Sequence, residues 1–81
     1  MTVKGIFNIK GRGHVIAVTG AAKYGIGLKT GVLVHQGDKA WRIRGVERFL
    51  HGKLQDDVGL LLHGEDVERY GLPEVGKELK L

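Results

Sequence analysis

A guanidinium held between two glycines is the first group in this sequence with a chemical use in view. In Lys10-Gly11-Arg12-Gly13 the glycines can take positive φ or let another chain come close, so Arg12 stands alone on a sharply bent backbone. A rigid hairpin and an anion contact both require that arrangement, and Arg12 reads either as a phosphate contact or as a solvated turn residue. The other reactive types do not assemble. His14, His35, His51 and His63 fall at irregular intervals without metal-ligand spacing, so no metal is expected. Adjacent carboxylates at Asp56 and Asp57 suit a turn better than acid–base work, because neighbours in a strand face opposite sides. Cysteine and serine are both missing, which removes thiol and serine nucleophiles, disulfides and thiolate zinc sites. Gly25-Ile26-Gly27 and Lys29-Thr30-Gly31 meet neither dinucleotide nor Walker-A spacing. With no nucleophile, base and oxyanion donor together, the expectation is a protein that is not an enzyme and carries no cofactor.

The elements that must position Arg12 are strands. Val3, Gly5, Phe7 and Ile9 alternate with Lys4, Asn8 and Lys10, the period of a half-buried strand, and His14 to Val18 forms a nearly continuous apolar run after the turn. Fourteen glycines punctuate the chain every few residues, which predicts many short strands in an all-β barrel or sandwich. Strands are placed near 3–9, 14–19, 32–36, 39–50, 57–63 and 77–81. In the long strand Trp41 and Ile43 face one way and Lys39, Arg42 and Arg44 largely the other, with Trp41 read as core. A bulge at Gly45 re-aims Val46, Glu47 and Phe49. The run through Val58, Leu60 and Leu62 predicts a central buried strand, and Glu65 to Tyr70 one helical turn closed by Gly71. The segment 19–31 is read as a hairpin.

Size and charge bound the partners. At 81 residues, with 42 % apolar and 27 % charged, the chain reads as one globular domain spanning 1–81. No apolar run approaches the roughly 20 residues that span a bilayer, and the first residues carry no signal-peptide pattern, so the expectation is a cytoplasmic protein without a membrane partner. The net charge of +4 is uneven: residues 1–54 hold ten Lys or Arg against Asp38 and Glu47, whereas residues 55–81 hold Arg69, Lys77 and Lys80 against seven acids. A basic half suits a phosphate backbone, and interleaved halves would instead mix the charges over the surface.

Several of these stretches occur together in a known order. Phe7-x-Ile9-x-Gly11-Arg12-Gly13-x-Val15, Gly45-Val46-Glu47-Arg48-Phe49, Asp57-Val58-Gly59-Leu60-Leu61-Leu62-His63-Gly64, Gly71 and Gly76-Lys77-Glu78-Leu79 resemble the second, β-barrel domain of the translation GTPases, that of elongation factor Tu above all. The resemblance covers nearly the whole chain. It implies a small closed or partly closed β-barrel of six to eight strands, free-standing here and without GTP hydrolysis. It also implies an RNA contact, with the tRNA 3′ end or with ribosomal RNA. Phe7 and Ile9 match the first-strand residues of the family's terminal-adenosine pocket, and Glu47 and Phe49 match its glutamate and phenylalanine. An aromatic wall and a carboxylate can stack on a base and accept from it. Leu50 stands where the family has arginine, and Asp57 where it has asparagine. The expected function is thus a non-catalytic RNA-binding module using Phe7, Ile9, Lys10, Arg12, Glu47, Phe49 and Asp57. The alternative is a protein–protein interaction module, in which the barrel docks on a protein partner or on itself.

Overall fold

A computed structural model describes residues 1–48 and 56–81. Within them the chain runs β1 (Thr2–Ile9), β2 (Gly13–Thr19), a 3-10 helical segment (Ala21–Gly27), β3 (Leu33–Gln36), β4 (Lys39–Arg48), β5 (Val58–Leu62) and α1 (Gly64–Tyr70). The strands form one antiparallel sheet in the order β1-β2-β5-β4-β3. No helix of the described residues is long and apolar enough to cross a membrane.

Alternation decides which face of the sheet becomes the core. Ile16 and Val18 of β2, Val58, Leu60 and Leu62 of β5, and Trp41 and Ile43 of β4 point to one side and pack with Val3, Leu28, Val34 and Leu79 in a single apolar cluster. Trp41 is fully buried, as expected of a core residue, and its indole N–H donates to the Gly71 carbonyl at 2.8 Å. That bond satisfies the one polar atom of the ring and ties the end of α1 to β4. The α1 turn forms where predicted, with Glu65 and Asp66 in its first turn and Gly71 at φ 76° closing it. Asp66 also accepts from the Arg42 N–H at 2.8 Å.

Two irregularities aim the strands. The pairing of β1 with β2 shifts between Val3 and Gly5, and that of β4 with β5 shifts between Ile43 and Gly45, where the glycine had suggested a bulge. On β5, Gly59 is set by space rather than by backbone angle: a Cβ there would lie 2.8 Å from Cγ1 of Val15.

The structure corrects the expected strand count and two segments. Among the described residues there are five strands, not six to eight, and the sheet does not close on itself. The stretch predicted as a strand over 77–81 makes only isolated bridges, Thr2 with Glu78 and His35 with Lys80. It first lies along β1, where the Val3 N–H donates to Lys77 O at 3.1 Å and the Leu79 N–H to Met1 O at 2.7 Å. It then lies along β3, where His35 and Lys80 exchange both backbone bonds at 2.6 and 2.9 Å. Serving two strands in turn leaves too few residues on either for a regular ladder. The segment 19–31 is not a hairpin: 3-10 helical turns run over Ala21–Gly27, interrupted at Gly25, where φ is 52° and ψ −128°. Asp56 selects it: its carboxylate accepts from the Ala22 N–H at 3.2 Å and from the Thr19 hydroxyl at 3.4 Å, and its backbone carbonyl from the Ala21 N–H at 3.0 Å. Such a long-range anchor has no signature in the local sequence. Positions 49 and 50, expected to end the fourth strand, lie outside the described residues.

Two outcomes follow from this packing. Gly59→Ala should cost about 1–3 kcal/mol, because the stiff Val15 side chain cannot swing away. Adding Val15→Ala should recover part of that loss in a double-mutant cycle read by urea denaturation, and additive losses would show that the two positions do not touch. Leu79→Ala should cost about 2–5 kcal/mol, since Leu79 is fully buried in the main cluster. A tail that only lies on the surface would leave the urea midpoint unchanged.

Candidate functional site

The face of the sheet opposite the main core carries the residues of interest. Pairing across the strands gives one row of Phe7, Val15, Leu61 and Gly45 and a second of Gly5, Ala17, Gly59 and Glu47. Residues two apart on a strand share a face, so both rows lie on the same surface. The large side chains occupy space that the glycines leave open. A Cβ on Gly5 would meet the Phe7 ring at 3.4 Å, one on Gly59 would meet Val15 at 2.8 Å, and one on Gly45 would meet Leu61 at 3.2 Å. Val15 and Leu61 are thereby buried outside the main cluster, at 6 % and 8 % exposure, whereas Phe7 is 57 % and Ile9 40 % exposed. A large aromatic this accessible in a small domain is the unusual feature of the face.

The turn between β1 and β2 brings a cation to the same surface. The Arg12 N–H donates to Ile9 O at 2.9 Å, closing a turn whose third residue, Gly11, has φ 84°, and Gly13 at φ 84° starts β2. From there the Arg12 guanidinium pairs with the Glu47 carboxylate on β4. Because β5 lies between β2 and β4, the pair bridges the sheet. Arg44 holds the turn from below: its Nη2 donates to the Arg12 carbonyl at 2.6 Å. Arg12 is therefore fixed twice, its backbone by Arg44 and its side chain by Glu47.

The predicted site residues divide as follows. Phe7, Ile9, Arg12 and Glu47 come together on or beside one face, with Lys10 exposed at the turn that carries Arg12. Asp57 is exposed just before β5, at the end of that strand away from the turn. Phe49 lies outside the described residues. Glu47 has a role that the resemblance does not imply, since it is engaged by Arg12. Sequence reasoning missed Arg44, whose bond to the turn follows from the bulge at Gly45. It also missed His14, which lines a pocket with Gly13 and Arg44. Among the described residues no three His, Asp or Glu side chains gather as a metal ion would need.

Charge is distributed unevenly over these elements. Within the five strands Glu47 is the single carboxylate, against Lys4, Lys39, Arg42, Arg44 and Arg48, while α1 alone carries Glu65, Asp66 and Glu68. The acids of the second half of the chain thus lie outside the strands, three of them on the helix, and the sheet keeps its positive balance. The face presents an exposed aromatic ring and a guanidinium tethered to a carboxylate, with Lys10 exposed at the adjoining turn. No family model matches this chain, and no curated protein or solved structure does either.

Proposed function

We propose that this chain is a non-catalytic RNA-binding module of the translation-factor second-domain type, contacting an unpaired end such as the tRNA 3′ end or a single-stranded segment of ribosomal RNA. The observation that carries the reading is Phe7, 57 % exposed on the sheet face across which the Arg12 guanidinium pairs with Glu47. An unstacked base can lie on the ring, and Lys10 and Arg12 can meet its phosphates. The fold assignment finds support in the C-terminal segment, which hydrogen-bonds to both edge strands, β1 and β3. Those bonds suit a partly closed barrel. Work in translation suits the cytoplasmic location expected from the sequence.

Glu47 then acts through Arg12. With the carboxylate in place the guanidinium is pinned across the sheet, and without it the Arg12 side chain swings on a turn still held by Arg44. With Arg12 exposed and Glu47 only half-buried, the pair contributes about 0–1 kcal/mol to stability. Glu47→Ala should accordingly leave the melting temperature nearly unchanged while weakening binding of a CCA-ended RNA, measured by fluorescence anisotropy. A large loss of stability with unchanged binding would make Glu47 a structural residue and remove the pocket. Phe7→Ala should cost about 1–3 kcal/mol of RNA affinity through lost stacking. Binding should also weaken steeply with added salt, because each neutralised phosphate releases counterions. Absence of any binding to tRNA or ribosomal RNA fragments at low salt would end the proposal.

A second reading has its own observation. Phe7 and Ile9 form an exposed apolar pair beside a mixed-charge pair, and among the described residues the bonds along the outer edge of β1 stop at Val3. An edge of that kind can accept a strand from a protein partner or a second copy. Sedimentation of a strict monomer, with no protein retained on the immobilised chain, would rule this reading out.

A further inference from the structure

We propose that the pocket of about 280 Å³ between the β1–β2 turn, Arg44 and the start of α1 holds a phosphate group. Two side chains supply the donors. Arg44 spends one bond on the Arg12 carbonyl, and a guanidinium carries five N–H groups, so the rest of its fork is left for an oxyanion. Among the described residues no carboxylate pairs with Arg44. His14, half-buried on β2, lines the pocket from the other side of β5 and carries at least one ring N–H.

The remaining wall favours an anion as well. No carboxylate lines the pocket; Asp66 accepts from the Arg42 N–H, Glu47 pairs with Arg12, and Glu65, which follows Gly64, is exposed. Leu62 and Val67 give it an apolar floor, which strengthens a charge-assisted hydrogen bond made above it. The space beside Gly13 and Gly64 is open, since a Cβ built at either would meet nothing within 4 Å. The fork of Arg44 faces this space from the same residue that holds the turn. A phosphate seated here would therefore sit at the root of Arg12, round the turn from Phe7. As a backbone phosphate of a bound RNA strand it rests on the RNA reading, and as a phosphate site alone it does not.

The test uses the full chain and amide NMR. Inorganic phosphate should give saturable shifts at Gly13, His14 and Gly64, and chloride at matched ionic strength should not. Arg44→Gln should weaken phosphate binding about tenfold and Arg44→Lys less, because a lysine keeps the charge but loses the fork. His14→Ala serves as the second variant should the turn fail to form without Arg44. Equal shifts from chloride, or phosphate affinity unchanged in both Arg44→Gln and His14→Ala, would overturn the site. A trinucleotide with and without a terminal phosphate separates the sources. Phosphate-dependent RNA binding that falls in Arg44→Gln assigns the site to nucleic acid. RNA binding that needs Phe7 but ignores Arg44 overturns the phosphate site and leaves the RNA reading standing. Inorganic phosphate binding through Arg44 with no RNA bound keeps the site for a small phosphate-bearing molecule and removes the RNA reading.

Discussion

Val58–Leu62 is buried at every position, and the rest of the sheet is arranged around that strand. Burial on both faces requires neighbours on both edges, and β5 takes β2 from far back in the chain on one side and the preceding strand, β4, on the other. The first hairpin can form locally, but it joins β4 only once β5 has arrived between them. Such non-local pairing incurs loop-closure entropy before any apolar contact offsets it. The strand must also be narrow on its outer face, which is why Gly59 sits where Val15 leans across. A central strand with a side chain there would push β2 and β4 apart, and the span from Arg12 to Glu47 would no longer close.

That geometry explains how a basic first half and an acidic second half share one small molecule. The contribution of the second half to the sheet is Val-Gly-Leu-Leu-Leu, which has no charge at all. Its acids lie outside that strand, in Asp56 and Asp57 before it and in α1, Glu74 and Glu78 after it. Interleaving the halves therefore does not mix their charges over the sheet. The outcome lies between the two that composition allows, neither one continuous basic face nor an even blend.

What could be read from the sequence was whatever depends on near neighbours. Alternation located the strands, the Gly45 interruption marked the shift in β4, Trp41 fell in the core, and the Glu65 to Tyr70 turn with its terminal Gly71 formed as expected. The failures share one cause. Asp56 reorganises residues 21–27 from the other half of the chain, and the C-terminal segment divides its bonds between β1 and β3. Neither partner is adjacent in sequence. The site follows the same rule. Alternation is enough to put Phe7 and Ile9 on one face, whereas the pairing of Arg12 with Glu47 and the support from Arg44 exist only once β5 has brought β4 to within reach of the turn.

The C-terminal segment has a mechanical consequence. Met1 and Leu79 exchange bonds, the Met1 ammonium donating to Leu79 O at 3.1 Å and the Leu79 N–H to Met1 O at 2.7 Å, so both ends of the chain leave from the same end of an antiparallel contact. Tension applied between the ends would act across those bonds rather than along them. Loaded in this way they break one after another, as a zipper does, instead of sharing the force as bonds in shear do. The molecule would yield first where the C-terminal segment meets β3 and β1, at Lys80–His35 and Leu79–Met1, while β5 and its two neighbours stayed paired.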